Sequence, residues 1–155
     1  MPPDAKVLTV SDGVHRGERD DRSGAALVEL LVAQGFTVVD HRIVPDGLEA
    51  VAEAIGEMGR GFAGLLVTTG GTGFGPRDVT PEATAAVLER RAPGLAEAMR
   101  AVNPLGRLSR GEAGTLGACL VVNTPGSPAG STESLEAIID VVPHALVLLA
   151  SGHPH

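Results

Sequence analysis

One segment constrains the fold of this 155-residue chain more than any other. Ala63-Gly64-Leu65-Leu66-Val67-Thr68-Thr69 is a near-continuous apolar run, closed at once by Gly70-Gly71-Thr72-Gly73. A strand with one face in water alternates apolar and polar side chains. A run without that alternation is expected where helices cover both faces of a sheet, which is the setting of parallel strands.

The rest of the chain repeats the theme. Val7–Val10 reads as a short strand ending at Ser11-Asp12-Gly13, and Val14–Asp21 as a polar, charged loop. Arg22–Gln34 has helical spacing at Leu27, Leu30 and Leu31, with Gly35 as its stop. Phe36–Val44 is a β-branched strand closed by Pro45-Asp46-Gly47, and Leu48–Met58 carries a helical apolar face. Thr80-Pro81-Glu82 opens a helix expected to run to about Arg91, followed by a short helix over Leu95–Val102. Ala118–Asn123 is a strand ending at Thr124-Pro125-Gly126. Ser131–Asp140 is a helix expected to continue, kinked at Pro143, to Leu149, buried in the core or in a subunit interface. Alternation of this kind predicts an α/β fold: a single three-layer α/β/α domain spanning 1–155, with a mostly parallel sheet. Right-handed crossovers then gather the loops after the strands along one edge.

Composition narrows the function. The formal net charge is −7, so the chain lacks the basic footprint of a nucleic-acid or anionic-membrane binder. Anionic ligands must be met locally by backbone N–H groups, a few arginines or a metal. Lys6 is the lone lysine, and no Gly-Lys-Ser/Thr tripeptide exists, which excludes a P-loop. A Schiff-base enzyme would have to use Lys6. Cys119, the lone cysteine, lies in an apolar run and reads as a small buried hydrophobe rather than a nucleophile. No signal peptide or membrane span is evident, which makes the cytoplasm the expected location.

Two clusters could carry chemistry. The glycine loop removes side chains so that N–H groups can face an oxyanion, and its threonines add donors; the competing reading is a turn without function. Its spacing, Gly71-x-Gly73-x-Gly75, is not that of a dinucleotide-binding turn. Asp12, Asp46 and Asp78 each follow a strand or the glycine loop, so the fold should bring them to one rim. Carboxylates beside a phosphate cradle point to Mg²⁺, which takes one or two carboxylates plus phosphate oxygens; singly, each also serves as a turn former or cap. Arg77 and Arg110 either clamp phosphate or form surface ion pairs. His15, His41 and His144 show no ligand spacing, and His153 and His155 lie on the tail, where a fortuitous metal site competes with a disordered end.

With these residues in place the sequence resembles a known family. Thr68-Thr69-Gly70-Gly71-Thr72-Gly73, with Arg77-Asp78-Val79-Thr80-Pro81-Glu82-Ala83-Thr84, resembles the signature of the MogA/MoaB family of molybdenum-cofactor biosynthesis. Val10-Ser11-Asp12, Pro93-Gly94 with Glu97-Ala98-Met99-Arg100, and Leu108-Ser109-Arg110 leading to Val122-Asn123-Thr124-Pro125-Gly126-Ser127-Pro128 agree in order. The resemblance implies the molybdopterin-binding fold, usually as a homotrimer. It implies transfer of AMP from ATP to molybdopterin with Mg²⁺, and possible hand-over to a downstream molybdenum-insertion enzyme. Carried across by motif, Asp46 and Asp78 match the catalytic carboxylates, and, as carboxylates beside a phosphate cradle, the same two are the expected Mg²⁺ ligands. Gly70, Gly71, Thr72 and Gly73 match the loop at the pterin and phosphate site, and Ser11, Asp12, Ser109, Pro125 and Gly126 match other binding positions; Thr69, Arg77, Glu97, Arg110 and Ser127 are the further expected binding residues beside them. One departure stands out. Some members carry a basic residue shortly after the Pro-Gly turn, whereas Pro128-Ala129-Gly130-Ser131-Thr132 has none. The alternatives are a molybdopterin binder without adenylyltransferase activity, a trimeric scaffold presenting the pterin to a partner, and Mg²⁺-dependent nucleotide chemistry on another substrate.

Overall fold

The computed structural model describes residues 1–151. The tail histidines His153 and His155 lie outside the described residues. Six strands form one sheet in the order β2-β1-β3-β6-β5-β4. The strands β1 (Asp4–Val10), β2 (Thr37–Val44), β3 (Gly64–Thr69) and β6 (Cys119–Thr124) run parallel, and β5 (Ala113–Leu116) and β4 (Arg90–Arg91) add antiparallel pairs at one edge. Every residue of β3 and β6 is buried, as the unbroken apolar run requires.

Helices cover both faces, and the period of two along the central strands divides the core between them. On one face Leu65, Val67, Leu120 and Val122 pack with Leu27 and Leu31 of α2 (Arg22–Ala33), Ala96 and Met99 of α5 (Pro93–Ala101), Leu135 of α6 (Pro128–Glu136) and Val142 of α7 (Val142–Ser151). On the other, Leu66, Cys119 and Val121 pack with Val51, Ile55 and Met58 of α3 (Leu48–Gly59) and Ala83 of α4 (Thr80–Val87). This is the three-layer architecture expected from the alternation.

Four local departures have physical causes. Asp12–His15 forms one helical turn, α1, because Ser11 caps it: the Ser11 Oγ accepts from Val14 N at 3.2 Å. The helix opened by Thr80 stops at Val87 rather than running to about Arg91. Leu88 turns extended, and the next amides bond across to β5, Glu89 N to Thr115 O at 2.9 Å and Ala92 N to Ala113 O at 2.8 Å. That pairing partner, β5, is a short strand that periodicity did not show. The last helical segment is two helices rather than one kinked helix, divided by a turn over 137–141, so that Pro143 sits in the first turn of α7, where its missing N–H costs nothing.

Candidate active site

Parallel strands deliver their C-terminal ends to one edge, and the site is built from those ends. At the end of β1, Ser11 N donates to Val44 O of β2 at 3.0 Å, which brings the turns after the two strands together. There Asp12 and Asp46 exchange hydrogen bonds. Asp12 N donates to Asp46 Oδ2 at 3.0 Å, and Asp46 N donates to Asp12 Oδ1 at 3.2 Å.

The glycine loop leaves β3 between these turns and the end of β6. Gly70 and Gly71 hold φ of 101° and 70°, a region that favours glycine. A side chain at Gly70 would collide with the Val10 carbonyl oxygen, and one at Gly71 with Thr80 Oγ1. The loop is tied down on all sides: Gly70 N donates to Thr124 O, Thr80 N to Gly71 O and Arg110 N to Thr72 O, at 2.9–3.1 Å. Thr69 Oγ1 donates to Pro125 O at 2.7 Å. Beneath it, buried Asn123 donates to Thr68 Oγ1 at 2.9 Å and Thr84 Oγ1 at 3.0 Å, and accepts from Glu112 N at 2.9 Å. All its polar atoms are satisfied, and it joins β3, β6 and α4 under the loop.

The edge opens into a groove with two halves. The larger, about 850 Å³, is lined by Ser11, Asp12, Asp46, Thr69, Gly70, residues 17–20, Arg22 and Ser23. The smaller, about 380 Å³, is lined by Thr72, Gly73, Leu105, Leu108, Ser109 and Pro125. Gly71, Asp78, Gly126 and Ser127 line both and mark the junction. Most of the expected site residues therefore meet in one groove. Glu97 does not: it sits on the exposed face of α5 and does not line either half.

Arg77 and Arg110 are ion-paired braces. Arg77 donates to Asp12 through Nε at 2.6 Å and Nη2 at 3.1 Å, and to Asp46 O at 2.7 Å. Arg110 donates to Gly73 O at 2.8 Å, Asp78 O at 2.6 Å and Glu82 Oε2 at 2.6 Å, binding the glycine loop to α4. Neither lines the groove.

The two carboxyls of the Asp12–Asp46 pair differ electrostatically. The Arg77 hydrogen bond holds Asp12 below its ordinary range. Burial pushes Asp46 above its own, and repulsion from Asp12 and Asp78 adds to that, against the Asp12 amide and Arg77. Asp46 Oδ1 lies 3.2 Å from where a Cβ on Gly71 would stand, and the Thr80 hydroxyl borders the same space. That hydroxyl is buried and has no hydrogen-bond partner among the described residues. Hard oxygens crowding a space that only glycine leaves open are donors of the kind Mg²⁺ takes. No group of three or more acidic, His or Cys side chains among the described residues could hold a metal alone, so a cation here would need substrate oxygens as well.

One cluster near the groove was not legible in the sequence. Thr9, Asp21 and His41 converge: Thr9 Oγ1 donates to Asp21 at 2.9–3.0 Å, and His41 Nε2 lies 2.8 Å from Asp21 Oδ2 and 3.2 Å from Thr9 Oγ1. Both partners meet the same ring nitrogen, so this is an anchor and not a relay of the Ser-His-Asp kind. Asp21 also caps α2 through Gly24 N at 3.0 Å. An acid just before the helix start at Arg22 is a cap signal that the sequence carries, but nothing in the sequence ties it to a histidine 20 residues on.

A doubly wound sheet with a glycine loop and acidic turns at its carboxyl edge defines an α/β domain whose candidate site lies across that edge. Comparison with known proteins narrows the class. The family model for a probable molybdopterin binding domain matches residues 6–144. A molybdopterin adenylyltransferase from Helicobacter pylori J99 is 34% identical, covering 95% of this chain and 88% of that protein. Gephyrin from Dictyostelium discoideum is 36% identical over 94% of this chain, which spans only 22% of gephyrin. The crystal structure of a MoaB molybdopterin biosynthesis enzyme from Thermus thermophilus superposes with a TM-score of 0.88 at 45% identity, covering 98% of both chains. The chain belongs to the MogA/MoaB family of molybdenum-cofactor biosynthesis proteins.

Proposed function

We propose that this protein is a molybdopterin adenylyltransferase, transferring AMP from ATP to the terminal phosphate of molybdopterin and releasing pyrophosphate. The observation that carries the reading is the junction. Asp78 stands where two halves of one groove meet and Asp46 lines the larger half, beside a loop whose positive-φ glycines leave room for a phosphate. Relatives named for this activity support it.

In the reaction, an oxygen of the pterin phosphate forms a bond to the α-phosphorus of ATP. The bond from that phosphorus to the bridging oxygen breaks, and its electron pair leaves with pyrophosphate. Bound Mg²⁺, held by Asp46 and Asp78 with phosphate oxygens, would offset the negative charge of the phosphates. The glycine loop, with Thr72 and Ser109 beside it, seats the pterin phosphate in the smaller half. No protein nucleophile is required. Cys119 is buried, with its thiol pushed up to about 12 by desolvation, and is no candidate for one. Positioning two phosphates in line supplies most of the rate.

We read the protein as a cytoplasmic homotrimer. No helix among the described residues is long and apolar enough to cross a membrane. Exposed Val32, Val39, Ile43, Val141 and Val147 provide apolar surface for subunit contact. A downstream molybdenum-insertion enzyme would take the adenylylated product. The test is incubation with ATP, Mg²⁺ and molybdopterin, following pyrophosphate and adenylylated pterin by mass spectrometry. Pterin binding without product would favour a binding homologue instead.

A further inference from the structure

Five carboxylates line the larger half of the groove and its junction: Asp12, Glu18, Asp20, Asp46 and Asp78. A triphosphate entering that half needs cations. The arginines nearest the glycine loop cannot supply them, because Arg77 and Arg110 are committed to Asp12, Glu82 and backbone carbonyls. No basic residue follows the Pro125-Gly126 turn through Thr132. The cations that do line this half are Arg19 and Arg22. Among the described residues neither is paired with a carboxylate.

Their placement is built. Arg19 lies over Gly13, where a Cβ would come within 2.8 Å of its Nε, and its Nη2 donates to Ser11 Oγ at 3.2 Å. Between the two arginines, Asp21 is pinned by Thr9 and His41 and caps the helix that Arg22 begins. Both guanidinium groups therefore stand on a segment anchored to β1, β2 and α2.

We propose that Arg19 and Arg22 grip the β- and γ-phosphates of ATP and hold the pyrophosphate as it leaves. The assignment rests on the adenylyl-transfer reading above, and in-line geometry gives it direction. If the pterin phosphate attacks from the glycine-loop side of the junction, the leaving group departs on the opposite side, into the half that carries the two arginines. Forked guanidinium groups suit a diphosphate that gains charge as the bond breaks.

The experiment compares equilibrium binding of ATP and of AMP, by calorimetry with Mg²⁺ present, to the wild type and to Arg19→Ala/Arg22→Ala. Both side chains are exposed, so the fold should survive the change. We expect the variant to lose about tenfold or more in ATP affinity while AMP affinity stays within about twofold. Inhibition by pyrophosphate should weaken in parallel, and Arg19→Lys/Arg22→Lys should recover part of the loss. A wild type that prefers ATP no more than AMP, an equal loss for both nucleotides, or a loss of pterin affinity alone overturns the assignment. Failure of the reaction itself is distinguishable: it leaves wild-type protein without adenylylated product, whereas the nucleotide comparison is read without turnover.

Discussion

Among single residues, Asp46 is the most informative. It is partly buried, its carboxylate accepts from Asp12 N, and two like charges stand nearby. The sign of the pH linkage follows from its raised folded-state pKa. The stability contributed by the neutral form is fully present below the ordinary aspartate value of 3.8 and is lost as pH rises through the raised value. At neutral pH, without a metal, the native state therefore carries an unfavourable charge there. Asp46→Asn keeps the acceptor and removes that charge, so it should abolish turnover yet raise Tm at pH 7 in chelator by on the order of 2 °C. Scanning calorimetry checks this, and the gain should vanish below about pH 4. Asp12, Asp46 and Asp78 were legible in the sequence because each follows a strand or the glycine loop, and parallel strands end together. The roles of the arginines were not legible. Which of eleven arginines is spent on a carboxylate and which stays unpaired depends on side-chain conformations that no spacing encodes.

At the scale of elements, the glycine loop is a rigid cradle, held by β6, α4 and Arg110. Gly70→Ala would demand φ of 101° from a residue with a Cβ, aimed at the Val10 carbonyl oxygen. It should cost at least about 2 kcal/mol, read as a fall in urea midpoint and in Tm; a change under about 0.5 kcal/mol would mean that the loop relaxes freely. The strands and helices that form the core were readable because their apolar periods are long and regular. β4 and β5 were not, since two and four residues of edge pairing leave no period to detect. Only the partner strand decides that Leu88–Arg91 stops being helix.

For the whole molecule, a sheet covered on both faces by aliphatic side chains forms a stiff frame that presents its carboxyl edge as one surface. Its outer strand β2 and its last helix α7 keep Val39, Ile43 and Val147 exposed. We expect light scattering to give three times the 15.7 kDa chain mass, and a monomer at micromolar concentration would contradict the trimer. Fold and family were legible together, because the glycine loop and its continuation into Arg77-Asp78 are a strand-end feature and a family signature at once. The division of the groove was not legible, since it depends on how α1 and the Gly17–Ser23 segment fold back over the edge. The proposed adenylyl transfer depends on Asp46 and Asp78. Product formation from ATP, Mg²⁺ and molybdopterin by the wild type and by Asp78→Asn, measured alongside pterin binding, tests that dependence. We expect pyrophosphate and adenylylated pterin in equal amounts from the wild type, with turnover at least about a hundredfold lower in the variant and pterin affinity within a few-fold. Wild-type protein that binds pterin but forms no product, or a variant that turns over at the wild-type rate, would contradict it.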